Sequence, residues 1–122
     1  MEIIIILILF TFSGIFEAIM DKIQFHYNKS IFPKNSLFWN PELSWKNKYK
    51  DDLKTPKFFG STTFFVIFTD AWHLLKSLSK YFIIGGFILV GYYNLLWYII
   101  PFYIYNRIIF ELFFRYFLSR KI

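Results

Sequence analysis

An uncharged stretch of 26 residues, 81–106, constrains this chain more than any other part of its sequence. It contains no Asp, Glu, Lys or Arg, and at about 1.5 Å per helical residue it is long enough to cross a lipid bilayer. A second uncharged run, residues 3–16, lies near the start of the chain. Hydrophobic residues make up 57% of the sequence, above the usual share for a soluble domain. The sequence therefore predicts an all-α integral membrane protein that forms a single domain.

Three apolar segments are predicted to be transmembrane helices. We expect the first over residues 1–28, the second over 60–78 and the third over 81–105. Pro101 is expected to kink the third helix near its end, because proline removes one backbone hydrogen bond. About three spans result.

Two further segments are predicted to lie at the membrane surface. The loop 29–59 is rich in lysine and aromatic residues, and within it Asn40 and Pro41 read as the N-cap and first-turn proline of a short interfacial helix, 41–49. Residues 107–121 read as an amphipathic tail, with charges at four-residue spacing opposite an apolar face.

The basic residues predict the orientation. With three spans, twelve Lys and Arg residues lie on one side, namely Lys22 at the end of the first helix, seven in the loop and four in the tail, against Lys76 and Lys80 on the other. Cytoplasmic segments are enriched in Lys and Arg, so the N-terminus is expected outside and the C-terminus in the cytoplasm. A re-entrant segment at 60–75 would give a weaker bias. The net charge of +6 indicates anionic lipid rather than nucleic acid as a partner.

A polar stripe follows the second half of the first helix. Its residues recur at spacings of three or four, which places them on one helical face. The stripe consists of Ser13, Glu17, Asp21, Gln24 and Asn28. It indicates either a helix that continues to Asn28 with a polar face inside the bundle, or a helix that leaves the membrane near Glu17.

The second predicted helix carries Asp70 and His73, three residues apart on one face. Ionisable groups in apolar segments are costly to desolvate and often mark function. We expect Glu17 and Asp70 to lie at similar depth and to face each other. Glu17, Asp21, Asp70 and His73 are then candidates for acid–base catalysis, and with His26 they are candidate ligands of a divalent metal. The alternative is that Asp70 and His73 form a hydrogen-bonded pair.

A second candidate site would bind an anion. Gly60, Ser61 and Thr62 are predicted to start a helix whose free N–H groups face an anion beside a lysine cluster. The lysines concerned are Lys46, Lys48, Lys50 and Lys57. They fit either solvated anchoring to lipid headgroups or the binding of a phosphorylated substrate.

Three sequence blocks resemble an uncharacterised family of small bacterial multi-spanning membrane proteins. The blocks are MDKIQFHYNKSIF (20–32), FWNPELSWKNKYK (38–50) and GSTTFFVIFTDAWHLLK (60–76), and together they cover about a third of the chain. The resemblance implies a multi-pass membrane protein and assigns no activity.

Three classes of function remain open at this point. The first is an accessory or structural membrane component that binds a membrane-protein partner or a second copy of itself. The second is an intramembrane metal-dependent enzyme acting on a lipid or phosphorylated headgroup, and the third is proton or ion translocation through the same carboxylates. Cysteine is absent, which excludes disulfides and thiolate metal sites, and the sequence contains no Walker A, HExxH, GxSxG or CxxC motif.

Overall fold

The computed structural model describes residues 1–121, whose regular secondary structure is helical, with no β-strand among these residues. Its α-helices are joined by turns and short 3₁₀ segments. They are α1 (Glu2–His26), α2 (Pro41–Ser44), α3 (Ala71–Tyr92) and α4 (Ile99–Leu112). The prediction of an all-α fold is therefore confirmed.

Helix α1 packs against both α3 and α4. Its Phe10 is fully buried, in a cluster with Ile6, Val90 of α3 and Phe102 of α4. The Phe10 ring stacks on Phe102 at 5.7 Å and meets Phe87 edge-on at 5.2 Å. Moving a side chain of this kind out of water into an apolar environment contributes about 1.5–3 kcal/mol. One ring thus joins all three long helices at one end of the molecule.

Small polar residues join α1 and α3 at mid-height. Ser13 Oγ donates to the Ser79 carbonyl at 3.0 Å, and Ser79 Oγ donates to the Ser13 carbonyl at 3.1 Å. Both side chains are buried. Small residues let two helix backbones approach closely, so this reciprocal pair fixes the antiparallel register of the two helices.

The loop folds against the other end of the bundle. Its Phe38 and Trp39 pack on a cluster formed by Ile23 of α1 with Ala71 and Leu75 of α3. The Phe38 carbonyl also accepts the N–H of Ala71 at 2.9 Å. Within the loop, Asn40 Oδ1 accepts the Glu42 N–H at 3.0 Å, so Asn40 caps α2 as predicted; the turns that follow, Trp45–Lys48, are 3₁₀.

The prediction of a helix over residues 60–78 is wrong. Gly60 has a positive φ of 79°, residues 64–68 form a 3₁₀ segment, and α3 begins only after Asp70. Asp70 has extended backbone angles, and its carboxylate accepts the N–H of His73 at 2.8 Å. It is therefore an N-cap, which ends the preceding segment and starts the next helix.

The uncharged stretch is not one helix over residues 81–105 either. It contains the second half of α3, a tight turn and the start of α4. Asn94 adopts a left-handed φ of 55°, and the N–H of Leu95 reaches back to the Val90 carbonyl at 2.9 Å, an arrangement that terminates helices. Pro101 lies in the first turn of α4, where its missing N–H breaks no helical hydrogen bond.

The predicted tail helix, 107–121, also needs correction. Its first half continues α4, and a π-helical turn, Phe113–Phe117, follows directly. This segment lies along α1, as Phe114 contacts both Lys22 and His26. The tail is part of the bundle because α4 begins at Ile99, within the uncharged stretch, and continues without a break into residues 107–112.

Two of the helices are long and apolar enough to cross a membrane: α1 with its 3₁₀ extension (Glu2–Lys29) and α3. Only 28% and 22% of the residues in their most apolar windows are buried. The core helix of a soluble protein would be mostly buried, whereas these helices expose large apolar side chains such as Ile4, Ile8 and Ile88. The fold is thus suited to an apolar surrounding.

Candidate functional site

One polar centre joins α1 to α4. The guanidinium of Arg107 forms a two-pronged ion pair with the carboxylate of Glu17, and one of its contacts, Nη1 to Oε1, measures 3.3 Å. Both side chains are about one third exposed. A planar guanidinium matches a carboxylate in this geometry, so each group neutralises the other inside an apolar bundle.

Asn106 extends the centre into the buried interface. It is fully buried; its amide donates to the Phe10 carbonyl at 2.8 Å, and its Oδ1 accepts the Nε–H of Arg107 at 3.1 Å. Gly14 lies beside it, and a Cβ there would come within 2.9 Å of the Asn106 carbonyl oxygen. The sequence pattern did not indicate Asn106 and Arg107 as site residues, although Arg107 is the first charge after the uncharged stretch.

A second polar centre lies at the start of α3. Both oxygens of Asp70 contact His73 Nδ1, at 2.7 and 2.9 Å, and Asp70 is only 4% exposed. An ionised carboxylate can only accept, so Nδ1 carries the proton and Nε2 of a neutral ring is left as an acceptor. The alternative of a hydrogen-bonded Asp70–His73 pair is thereby confirmed.

A cavity of about 210 Å³ adjoins this pair. Its walls come from three parts of the chain: α1, the loop and α3. Besides Asp70 and His73, they include Gln24, Ser44, Lys48 and Trp72. A histidine oriented by a buried carboxylate beside a hydroxyl and an ammonium is a chemically competent arrangement for proton transfer.

The two centres are separate, and the expectation that Glu17 faces Asp70 is wrong. Trp72 Nε1 donates to Gln24 Oε1 at 2.9 Å, so Asp70 lies beyond the level of Gln24. Glu17 is seven residues earlier on α1, or about 10 Å along its axis. The register set by Ser13 and Ser79 separates them.

The candidate metal site is not assembled. Within residues 1–121, no three His, Asp or Glu side chains come together in a group that could hold a metal ion. Glu17 is paired with Arg107, and Asp21 lies half-buried one turn further along α1. His26 is exposed and packs against the Phe114 ring at 5.5 Å.

The predicted anion site at the lysine cluster is not formed as expected. Residues 60–62 start no α-helix, and the buried Ser61 hydroxyl donates to the Lys48 carbonyl at 2.7 Å, whereas Thr62 is exposed. Lys57 Nζ donates to Asn47 Oδ1 at 2.9 Å. The other three lysines, Lys46, Lys48 and Lys50, belong to the loop surface or its edge.

Comparison with protein-family models, with curated proteins and with solved structures finds no match to this chain. The family resemblance of the three sequence blocks stays a prediction.

Proposed function

We propose that this chain is a small multi-pass membrane protein in which α1, α3 and α4 all span the bilayer, and that it acts as an accessory or structural component. The observation that carries the proposal is the segregation of charge. The start of α1, the end of α3 and the start of α4 meet around Phe10, and residues 1–21 and 81–106 contain no Lys or Arg. The end of the bundle around Phe10 therefore carries none of the 14 basic residues, and Lys80, next to Ser79 at mid-height, is the one nearest to it.

The segregation supports a cytoplasmic loop and C-terminus. The helix predicted over residues 60–78 put Lys76 and Lys80 on the outer side, whereas both belong to the first half of α3. The basic residues then favour one side more strongly than the sequence count did. At the opposite end, the exposed Tyr92, Trp97 and Tyr98 are the residue types of a membrane–water interface.

Depth supports the same assignment. If the hydrocarbon core of about 30 Å begins at Glu2, it ends about 20 residues later on α1, near Lys22. Glu17 and Arg107 then lie inside its loop-side edge. Charges at that depth are costly unless paired, and these two residues are paired with each other.

Reporter fusions test the topology. Fusions after Lys50 and after Lys121 are expected to report the cytoplasmic side, and a fusion at Asn94, in the turn between α3 and α4, the opposite side. Finding Asn94 on the same side as Lys50 would overturn the three-span proposal.

The Asp70–His73 cavity favours one alternative, an enzyme that uses His73 as a general base at the loop surface. Its substrate class would be a lipid or phosphorylated headgroup, with Lys48 as the cation in the cavity. The test is hydrolysis of a panel of phosphoester and carboxylester lipids by the purified chain. Turnover that His73→Gln abolishes and Lys54→Gln leaves unchanged would establish the enzyme; no turnover on any of them would favour the accessory role.

Proton or ion translocation, the third class, has less support. Its leading carboxylate would be Glu17, which is held by Arg107. A carboxylate fixed in a two-pronged ion pair is a poor proton carrier, because protonation would leave the guanidinium without its partner.

A further inference from the structure

A basic cavity of about 420 Å³ lies at the loop-side end of the bundle, between the end of α1 and the last turns of the chain. Its walls carry four cations, together with the His26 ring and the Ser119 hydroxyl. The cations are Lys22, Lys29, Arg115 and Arg120. No Asp or Glu lines it within residues 1–121.

The cavity has a defined framework, because the C-terminal residues are bonded to the end of α1. The N–H of Ile31 donates to the Leu118 carbonyl at 3.1 Å, and the N–H of Arg120 donates to the Lys29 carbonyl at 2.7 Å. These are backbone hydrogen bonds. Side-chain replacements at Lys29 and Arg120 therefore leave the framework intact.

Lys22 is the buried cation of the cavity. Its side chain is 4% exposed, its Nζ donates to Ser119 Oγ at 2.9 Å, and the ammonium lies 4.0 Å from the centre of the Phe114 ring. An ammonium has three donors, and Ser119 is its one hydrogen-bond acceptor among residues 1–121. A desolvated cation whose hydrogen-bond partner is neutral, and which shares its cavity with other cations, is stabilised by a bound anion.

The remaining charges point the same way. Arg115 shares its charge with Glu111 through a contact of 2.6 Å, and neither Lys29 nor Arg120 has a carboxylate partner within the described part of the chain. Four cations are thus opposed by one neighbouring carboxylate. Basic pockets at the cytoplasmic end of membrane helices suit phosphate-containing headgroups.

An apolar groove of about 470 Å³ continues from the cavity along the outer face of α4. The two share Arg115, and the groove runs to Tyr103 past Ile104, Ile108 and Leu112. Arg107 and Glu111 also line it, and each is paired with an opposite charge. Twelve helical residues separate Tyr103 from Arg115, about 18 Å. One leaflet of the hydrocarbon core is about 15 Å deep, so the groove has the length of an acyl chain.

We propose that this chain binds an anionic phospholipid of the loop-side leaflet, with the headgroup phosphate in the basic cavity and one acyl chain along α4. The assignment of the leaflet rests on the proposed function. Free phosphate offers the same headgroup chemistry without the acyl chain, and the two sources are separated by the groove.

The test is lipid binding to the purified full-length chain in neutral detergent, measured by native mass spectrometry and by thermal stability. Phosphatidylglycerol is expected to bind and to raise the unfolding temperature, whereas phosphatidylcholine with the same acyl chains is not. Inorganic phosphate should stabilise the chain much less. Because no bilayer is involved, the result is independent of the reporter fusions that test topology.

Matched variants locate the site. Lys29→Gln with Arg120→Gln should weaken phosphatidylglycerol binding at least tenfold, while Lys34→Gln with Lys54→Gln, the same loss of charge on exposed lysines, should not. Ile108→Ser should weaken lipid binding, and Ile84→Ser, on the exposed face of α3, should not. The site variants should keep the lipid-free unfolding temperature of the wild type.

Three results would overturn the proposal. Equal binding of the two lipids would show that the headgroup charge is not recognised. An equal loss of phosphatidylglycerol affinity in the site pair and the control pair would show that binding depends on net charge alone. Phosphate binding without selective binding of phosphatidylglycerol would replace the lipid by a soluble phosphate compound.

Discussion

Glu17 of α1 and Arg107 of α4 are held together as an ion pair across the helix interface, 90 residues apart in sequence. Both charges are visible in the sequence, but the sequence does not show that they pair with each other. Removing one partner leaves the other desolvated and unpaired. This pair, rather than the carboxylate and histidine of α3, is therefore the charged centre inside the bundle.

We expect Glu17→Gln and Arg107→Gln each to destabilise the chain by about 1–3 kcal/mol, because each leaves a partly buried charge without a partner. The double variant should cost less than the sum of the two. Thermal unfolding in detergent measures the effect. Glu111→Gln, which breaks the exposed pair with Arg115, is the control and should cost about 0.5 kcal/mol or less; additive single effects would show that the pair is not coupled.

The register of α1 and α3 can be tested by cysteine pairs, since the chain contains no cysteine. Ser13 Oγ and Ser79 Oγ lie 3.4 Å apart, so Ser13→Cys with Ser79→Cys should form a disulfide under mild oxidation. Glu17→Cys with Asp70→Cys should not, because the two residues lie at different depths. Non-reducing electrophoresis after proteolysis between residues 13 and 79 distinguishes the two results, and the reverse pattern would disprove this register.

Gly14 is expected to be intolerant of a side chain. A Cβ would meet the Asn106 carbonyl oxygen at 2.9 Å, and a backbone atom cannot move aside as a flexible side chain can. Gly14→Ala should therefore lower stability by about 1–3 kcal/mol. Gly91→Ala is the control, because a Cβ there has no atom within 4 Å. An equal loss of stability in both variants would show that the close approach of α1 and α4 is not the cause.

Asp70 is expected to stabilise α3 mainly as its N-cap. Asp70→Ala removes the acceptor of the His73 N–H and should cost about 0.5–2 kcal/mol. Asp70→Asn keeps a capping oxygen and should cost clearly less, as should His73→Gln, which loses only the side-chain contact. Unfolding temperatures of the three variants in detergent give the comparison. A cost for His73→Gln as large as for Asp70→Ala would make the side-chain pair the main source of stability.

Asp52, in the loop, is expected to titrate at low pH. Its carboxylate accepts the Thr55 hydroxyl and the backbone N–H groups of Thr55 and Lys54, and these bonds lower its pKa to about 2. Because the carboxyl pKa is lowered on folding, the ionised group stabilises the turn fully at pH values above its ordinary pKa near 3.9. This stabilisation is lost as the pH falls through about 2. Thr55→Val should raise the pKa, as read from the carboxyl carbon shift in NMR; an unchanged pKa would rule out the hydroxyl as a cause.

The sequence alone determined the features that local chemistry controls. Its apolar content and periodicity predicted an all-α chain. The spacing of its polar residues predicted that the first helix continues past Glu17, and α1 ends at His26. Asn40 and Pro41 were recognisable as a helix start, because capping depends on adjacent residues only. Charge placement predicts a cytoplasmic loop, and this orientation stays a prediction that the reporter fusions test.

Only the tertiary structure decided where the other helices begin and which residues meet. Asp70 could equally have been an internal helix residue, and its role as N-cap depends on the loop residue Phe38 holding Ala71. The uncharged stretch could equally have been one long helix; instead Asn94 ends α3, and Phe102 of α4 returns to stack on Phe10. Periodicity shows which face of a helix is polar, but it carries no information about the partner that face will find, because partners are set by packing between segments distant in sequence.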